Sequence, residues 1–170
     1  MPLRMAQRTN AKPLIGFYSE SGKGKTCSSL LLARGFVGPK GKIAMIETES
    51  GRGEALVGAI INGQEIGDFL VESIRGSFSP KTYGEAIAEC EAANVDALII
   101  DSASHEWEGV GGVLDMAATN QAEGKKGVLV WQKPKMEHSR YFMLKLTQTA
   151  IPLVIVCMRA KYPMKEVERN

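Results

Sequence analysis

The sequence has few of the residues that define disulfide-bonded, zinc-binding or membrane proteins. Its three cysteines, Cys27, Cys90 and Cys157, lie far apart, and no CxxC pair or cysteine–histidine spacing suits zinc. This argues against a disulfide scaffold and favours a reducing compartment, so we expect a cytoplasmic protein. No apolar run approaches the roughly 18 residues of a membrane-spanning helix. The N-terminal residues also lack the apolar core of a secretory signal, so we expect no membrane partner.

A strong net charge is missing as well, because 21 Lys and Arg residues nearly balance 19 Asp and Glu residues. With 44% hydrophobic and 24% charged residues in 170, the composition is typical of a soluble globular domain with a real core. The charges are unevenly placed. Residues 13–120 carry eight cations and 15 acids, whereas residues 121–170 carry ten cations and four acids. This predicts two faces, of which the cationic one suits a polyanion.

Apolar, β-branched segments alternate with helical patterns along the chain. Strands are predicted at residues 14–18, 42–48, 69–74, 95–100 and 151–157. Helices are predicted at residues 26–36, from Ser79–Pro80 onward, at 113–120 and at about 137–149, with a short helix at 54–61 and a loop at 102–112. Because the strands are continuous apolar runs, the pattern predicts an α/β fold with a mostly parallel central sheet, covered on both faces.

The domain organisation is expected to be simple. Residues 1–12 form a polar leader, and residues 13–170 are predicted to be a single domain without internal repeats. The chain stops at Asn170, soon after the fourth strong strand, so we expect either a short natural end or a C-terminally truncated domain.

The most informative stretch is Ser19–Thr26, SESGKGKT, between an apolar strand and a helix. Backbone N–H groups of such a loop wrap a phosphate, and the helix N terminus adds partial positive charge. The pattern matches GxxxxGK[ST], except that Ser19 stands in place of the first glycine. Gly22 and Gly24 permit the tight wrap. The loop is predicted to bind a nucleotide through Ser21, Gly22, Lys23, Gly24, Lys25, Thr26 and Cys27.

Three side chains are predicted to act on the phosphates and a metal ion. Lys25 would reach the β- and γ-phosphates as a catalytic residue, and the Thr26 hydroxyl would bind Mg²⁺. Asp101 ends the apolar run 97–101, so its carboxylate is predicted to order the same Mg²⁺. The alternatives are a flexible loop without chemistry, with Lys23 as a solvated cation, and an aspartate that caps the turn after its strand.

Hydrolysis also needs a group that orients or deprotonates water. Glu47 and Glu49 lie at the end of the second strand, two residues apart, and point to the same side if the strand continues. Glu49 lies beyond the strand tip and is the freer of the two, so it is the predicted catalytic residue. The alternative is a pair of solvated carboxylates beside Arg52, an interpretation that suits Glu47 in particular.

These motifs resemble the RecA-like branch of the P-loop ATPases over roughly residues 13–162. Within that branch, the chain resembles small phage-encoded ATPases of the AAA family that are associated with single-strand DNA recombination. The residues that carry this likeness are Glu49–Gly53, Asp101–Gly109, Trp131–Pro134 and Met158–Lys161. The resemblance implies a three-layer αβα P-loop NTPase with ATP and Mg²⁺ as cofactors.

The resemblance also implies roles for single residues. RecA-like proteins place a catalytic glutamate two residues beyond an acid at the end of the strand after the phosphate-loop helix. That position is Glu49, and Glu47 replaces the more usual aspartate. The polar γ-phosphate sensor at the end of a later strand corresponds to Arg159, acting within one subunit or across a boundary. The alternative is a surface cation pair with Lys161. Because RecA-like sites usually lie between subunits, we expect a homo-oligomer.

Residues 121–145 combine cations with the rings of Trp131, Tyr141 and Phe142. The cations are Lys125, Lys126, Lys133, Lys135, Arg140 and Lys145. This composition is typical of a single-strand nucleic-acid surface and equally of a solvated helix face. Together with the resemblance, it favours single-stranded DNA as partner. We therefore expect ATP hydrolysis coupled to DNA in phage-type recombination or repair, with a small P-loop kinase for a metabolite and a non-catalytic nucleotide-binding module as alternatives.

Overall fold

The computed structural model describes residues 5, 12–49 and 51–160 of the chain. Most of the expected leader lies outside these residues, as do Lys161 and the remainder of the C-terminal tail. The strands of the described part are β1 (Leu14–Ser19), β2 (Ile43–Glu47), β3 (Ile60–Ile61), β4 (Gln64–Glu65), β5 (Leu70–Ser73), β6 (Ala97–Asp101) and β7 (Leu153–Arg159). Its helices are α1 (Lys25–Val37), α2 (Pro80–Ala92), α3 (Ser104–Glu108), α4 (Val113–Ala122), α5 (Val128–Glu137) and α6 (Leu144–Gln148), with a 3₁₀ turn at Glu54–Leu56 and a π-helical segment at His138–Met143.

The five longer strands form one parallel sheet in the order β1-β7-β6-β2-β5. β3 and β4 form a separate antiparallel pair. The central strands are buried on both faces, and all five residues of β2 are buried, as expected for continuous apolar runs. The predicted α/β fold with a mostly parallel central sheet is therefore confirmed.

Helices pack on both faces of this sheet. On one face, Leu30 of α1 packs against Ile99 of β6 within a buried cluster. On the other face, Tyr83 of α2 and Phe142 of the π-helical segment cover Leu98. Each large apolar side chain that is fully buried contributes roughly 1.5–3 kcal/mol. This arrangement is compatible with three layers, and it aligns the carboxyl ends of the parallel strands along one edge.

The start of α2 follows the prediction, because Ser79 Oγ accepts a hydrogen bond from the Thr82 N–H at 3.2 Å. Other local predictions were wrong. The expected loop at 102–112 contains α3, which is too short to show a helical periodicity. The expected helix at 54–61 is a single 3₁₀ turn followed by β3.

The C-terminal helical region begins earlier than the predicted 137–149, because α5 continues through Pro134. Proline normally breaks a helix by removing the N–H that would bond the carbonyl four residues earlier. That carbonyl belongs to Val130, and it accepts a hydrogen bond from Asn120 Nδ2 of α4 at 2.8 Å instead. A tertiary contact thus replaces the lost backbone bond. Within the described residues, no helix has the length and apolar character needed to cross a membrane.

Candidate functional site

The chain turns tightly between β1 and α1 at the carboxyl edge of the sheet. Gly22 and Gly24 have φ angles of 78° and 80°, in the left-handed region that favours glycine. The Gly24 carbonyl accepts the Ser28 N–H at 2.9 Å, which starts the 13-residue helix α1. The segment Ser21–Gly24 is exposed, and Cys27 is half-buried in the first turn of the helix. The predicted phosphate-binding residues therefore form a solvent-facing turn at a helix N terminus.

Lys25, the first residue of α1, crosses this turn. Its Nζ donates to the Ser19 carbonyl at 2.9 Å and to the Glu20 carbonyl at 2.8 Å. An ammonium group has three N–H donors, and these two contacts use two of them. Lys23 is exposed within the turn itself. The two lysines therefore have different surroundings. Two backbone carbonyls hold the Lys25 ammonium across the turn, whereas Lys23 is exposed.

The two predicted metal ligands contact each other although 75 residues separate them. Thr26 Oγ1 donates to Asp101 Oδ2 at 2.5 Å, which joins the first turn of α1 to the last residue of β6. The peptide bond between Asp101 and Ser102 is cis. Hydroxyl and carboxylate oxygens are the ligands that Mg²⁺ prefers. No cluster of three or more His, Cys, Asp or Glu side chains suited to a metal occurs in the described residues, so Mg²⁺ here would take its other ligands from water and phosphate.

The Asp101 carboxylate lies in a strongly polar but partly desolvated place. Burial, the largest influence, raises the pKa of Asp101 above its ordinary value of 3.8. The hydrogen bond from Thr26 and the charge of Lys25 lower this pKa, whereas the charges of Glu49 and Glu47 raise it. Lys25, Thr26, Asp101 and Glu49 are therefore close enough to interact electrostatically at one edge of the sheet. A cation bound here would relieve the repulsion among the carboxylates.

Glu47 and Glu49 have different surroundings, which corrects the interpretation of Glu47 as a solvated partner of Arg52. Glu49 is the one that pairs with Arg52, at 2.7 Å, and 31% of its side chain is exposed. The Glu47 side chain is only 3% exposed and pairs with Arg75 at 2.8 Å. The pattern of alternate residues could not reveal this, because Arg75 lies 28 residues away, just beyond β5.

Sequence reasoning missed a second connection at this edge, through Thr48. Thr48 Oγ1 accepts the Ser102 N–H at 3.0 Å and lies 2.7 Å from His105 Nδ1. The Thr48 N–H in turn donates to the Asp101 carbonyl at 3.0 Å. His105 makes this contact from helix α3. These hydrogen bonds join the end of β2 to the end of β6, next to Glu49 and Asp101 in the chain.

Arg159 lies beside the phosphate-loop candidate in the sheet but its side chain is engaged elsewhere. The parallel register pairs Arg159 with Ser19, and the following Ala160 N–H donates to the Ser19 carbonyl at 3.0 Å. The guanidinium contacts Glu108 of α3 at 3.0 Å and is partly exposed. The structure therefore brings the Arg159 backbone, but not its guanidinium, to the cluster of Lys25, Thr26, Asp101 and Glu49.

A cavity of about 580 Å³ lies on the face of the sheet opposite to α1. Its lining is mostly apolar and includes Leu14, Tyr18, Trp107, Phe142 and Met158. Two polar side chains meet in it, because His138 Nδ1 lies 3.0 Å from both carboxylate oxygens of the buried Glu106. Trp107 packs edge-on against the His138 ring, with 5.4 Å between the ring centroids. Burial raises the pKa of Glu106, and the hydrogen bond from His138 opposes this shift.

The cations of residues 121–145 lie in the connection between α4 and α5, on α5 and on the π-helical segment and α6 that follow it. Lys126, Lys133, Lys135, Arg140 and Lys145 are exposed, and Lys125 is partly buried beside Glu123. Lys135 lies 5.8 Å from the Trp131 ring and Arg140 lies 5.7 Å from the Tyr141 ring. Phe142 is buried in the core instead of accompanying them. The segment thus offers exposed cations with two partly buried rings beside them.

Comparisons with known proteins do not assign a family to this chain. No protein-family model matches the chain, and a search of curated proteins finds no match. A function can therefore be inferred only from the side chains and their arrangement.

Proposed function

We propose that this protein is a RecA-like P-loop ATPase with a three-layer αβα fold that binds ATP with Mg²⁺ and hydrolyses it. The observation that carries the proposal is the contact of Thr26 with Asp101 beside Lys25, at the N terminus of a helix that follows a glycine turn. A hydroxyl, a carboxylate and an ammonium at such a terminus suit a metal-bound polyphosphate. A magnesium ion would supply charge neutralisation of the phosphates there.

Each residue of the cluster has a distinct part in the proposed reaction. The exposed N–H groups of Ser21–Gly24 and the Lys25 ammonium bind the phosphates and counter the negative charge that develops on them. Thr26 and Asp101 would hold the metal ion. Glu49 is partly exposed and lies at the same edge, so its carboxylate accepts a proton from water or orients that water. Arg159 is the proposed γ-phosphate sensor. Its guanidinium must first break its contact with Glu108 before it can interact with the phosphates.

We also assign single-stranded DNA as the partner and a homo-oligomer as the working form. The exposed cations of residues 121–145 support the first assignment, since cations track the phosphates of a single strand while rings stack on its bases. The oligomer rests on the resemblance alone.

The proposal is tested by measuring phosphate release from ATP with Mg²⁺, in the presence and absence of oligonucleotides of several lengths. Release without any acceptor, stimulated by single-stranded DNA, is the expected result. Strict dependence on a small acceptor molecule would instead identify a kinase. Tight ATP or ADP binding without turnover under every condition would identify a non-catalytic nucleotide-binding module. Absence of ATP binding at millimolar concentration would refute the phosphate site itself.

A further inference from the structure

The buried carboxylate of Glu47 has no part in the reaction described so far, although it lies at the same carboxyl edge of the sheet as Asp101. It ends β2, and the sheet register places it directly beside Asp101 of β6 and Ser73 of β5. One of its oxygens, Oε1, accepts from the Gly51 N–H at 2.9 Å and from Arg75 Nη2 at 2.8 Å, with Ser73 Oγ at 3.5 Å. Such contacts are what a carboxylate needs when 3% of it is exposed.

The contact with Gly51 closes the chain back onto the end of β2. Glu49 lies inside the segment that is closed in this way, two residues before Gly51. The chain just beyond Gly51 also lies close against β2, because a Cβ atom at Gly53 would lie 2.5 Å from Met45 Sδ and 3.7 Å from Glu47 Oε2. Gly53 itself is buried. The segment that carries Glu49 is therefore folded against the Glu47 carboxylate and its strand.

A second contact fixes this segment relative to Asp101. The Thr48 N–H, between the two glutamates, donates to the Asp101 carbonyl at 3.0 Å. Glu47 thus holds the far end of the segment through Gly51, while Thr48 holds its near end on β6. Without the Glu47 contact, the segment would keep its attachment at Thr48, and beyond Glu49 the first contact with β2 described above would be the packing of Gly53 against Met45.

We propose that Glu47 is a positioning residue that sets the place of the Glu49 carboxylate relative to Asp101; this inference rests on the proposed ATP hydrolysis. Glu47 acts through the Gly51 N–H, and Arg75 balances its charge. It is not open to the attacking water, because Oε1 is occupied by donors and Oε2, although without a hydrogen-bond partner among the described residues, is enclosed near Met45 and Gly53.

The test compares two substitutions that differ in what they preserve. Glu47→Gln keeps an oxygen that can accept from Gly51 but loses the charge opposite Arg75. Glu47→Ala loses both. We expect the alanine variant to lower kcat for ATP about 100-fold, since misplacing a reacting group by about 1 Å has an effect of that size. The glutamine variant should lose only about threefold to tenfold, and KM should stay within about threefold in both.

Combining these changes with Glu49→Gln isolates the positioning role. In that background, Glu47→Ala should cause no further loss of kcat, because the group that it positions is already inactive. A further loss of about 100-fold would overturn the inference, as would a Glu47→Gln variant that is as inactive as Glu49→Gln. Glu72→Ala on the neighbouring strand is the matched control, and it should leave kcat within about threefold of the wild type.

Amide exchange of Gly51, measured by NMR, gives a readout that needs no turnover. Glu47→Ala and Glu47→Met, which both lack the acceptor for Gly51, should accelerate this exchange, the alanine variant by about tenfold or more, without changing the exchange of the β6 amides. Unchanged Gly51 exchange in a folded Glu47→Ala variant overturns the inference alone, and Glu47→Met, which keeps more of the side-chain volume, supplies the same reading if the alanine variant does not fold. Absence of turnover by the wild-type protein would overturn the proposed function, and the positioning role would fall with it.

Discussion

The two faces of the sheet use their polar residues in different ways. On the α1 face, the carboxyl edge gathers Lys25, Thr26, Glu49 and Asp101, whose side chains interact with the backbone or with charged and polar neighbours. On the opposite face, the cations of residues 121–145 project mostly into solvent, above a cavity that is largely apolar. The α1 face therefore carries one cluster of interacting polar side chains, whereas the opposite face carries positive charges that are spread over the surface.

This difference indicates what kind of ligand suits each face. A preorganised cluster binds a small, highly charged ligand strongly, because little conformational entropy is lost and the polar groups are already in place. Exposed lysines and arginines gain most from a long polyanion that many of them contact at once. The proposed nucleotide on the first face and the proposed nucleic-acid strand on the second agree with this contrast, and four variants test it.

The largest effect is expected for Lys25→Ala on the α1 face. Removing this ammonium should lower ATP turnover about 1000-fold and weaken nucleotide binding about tenfold, because no other described group takes its place across the loop. Steady-state turnover and titration with a fluorescent ATP analogue measure both effects. Lys23→Ala, in the exposed part of the same turn, is the control and should change either value by about threefold at most. Equal losses in the two variants would contradict an organised cluster.

The next effect is expected for Glu49→Gln, which keeps the shape of the side chain but removes its capacity to accept a proton. We expect kcat to fall about 100-fold with little change in nucleotide affinity. Single-turnover kinetics and an independent binding titration separate these quantities. Arg52→Ala removes the exposed ionic partner of Glu49 and serves as control, with an expected change of about threefold. Unaltered turnover in Glu49→Gln would remove Glu49 from the reaction.

A smaller effect is expected when the opposite face loses two of its dispersed cations. The double variant Lys135→Ala/Arg140→Ala should bind single-stranded DNA about tenfold more weakly at moderate salt. The slope of log K against log salt should become shallower by about 1.4, since each phosphate contact contributes about 0.7. Fluorescence anisotropy at several salt concentrations measures both values. Lys40→Ala, in the exposed turn after α1, should change neither value. An unchanged slope in the double variant would place the strand elsewhere.

The smallest effect concerns stability, through the buried Glu106 beneath the cationic helices. Burial raises the pKa of Glu106 above its ordinary value of 4.5, so the folded protein binds this proton more readily than the unfolded chain. The wild-type protein should therefore lose stability as the pH rises from the unfolded pKa through the raised folded pKa. Glu106→Gln cannot titrate, so we expect it to be more stable than the wild type by about 1 kcal/mol near pH 7 and not below pH 4.5.

Urea denaturation on both sides of this pH window measures the change, with the exposed Glu85→Gln on α2 as the control. An equal stability difference between wild type and Glu106→Gln at both pH values would mean that the carboxyl group is not destabilised by burial. The same result would weaken the contrast between the faces, since the polar pair of Glu106 and His138 would then be solvated like the cations above it.

The predictable parts of this protein were those encoded by neighbouring residues. The apolar strand, the glycine turn and the helix from Lys25 onward appear together in sequence, and the carboxylate of Asp101 directly ends its own strand. The helical path through Pro134 was not predictable, because it depends on Asn120 Nδ2 bonding the Val130 carbonyl from another helix. The burial of Glu47 was equally hidden, since local spacing suggested Arg52 as its partner.

The sequence by itself determined the alternation of strands and helices and the two candidate regions, because hydrophobic periodicity, glycine turns and charge composition are local properties. The tertiary structure alone decided which distant side chains meet: Thr26 with Asp101, Glu47 with Arg75, and Glu106 with His138. Strand order and register decide where Asp101 and Glu47 lie, because a shift of a single residue would send these side chains to the other face of the sheet. The packing of α3 beside the π-helical segment brings Glu106 to His138.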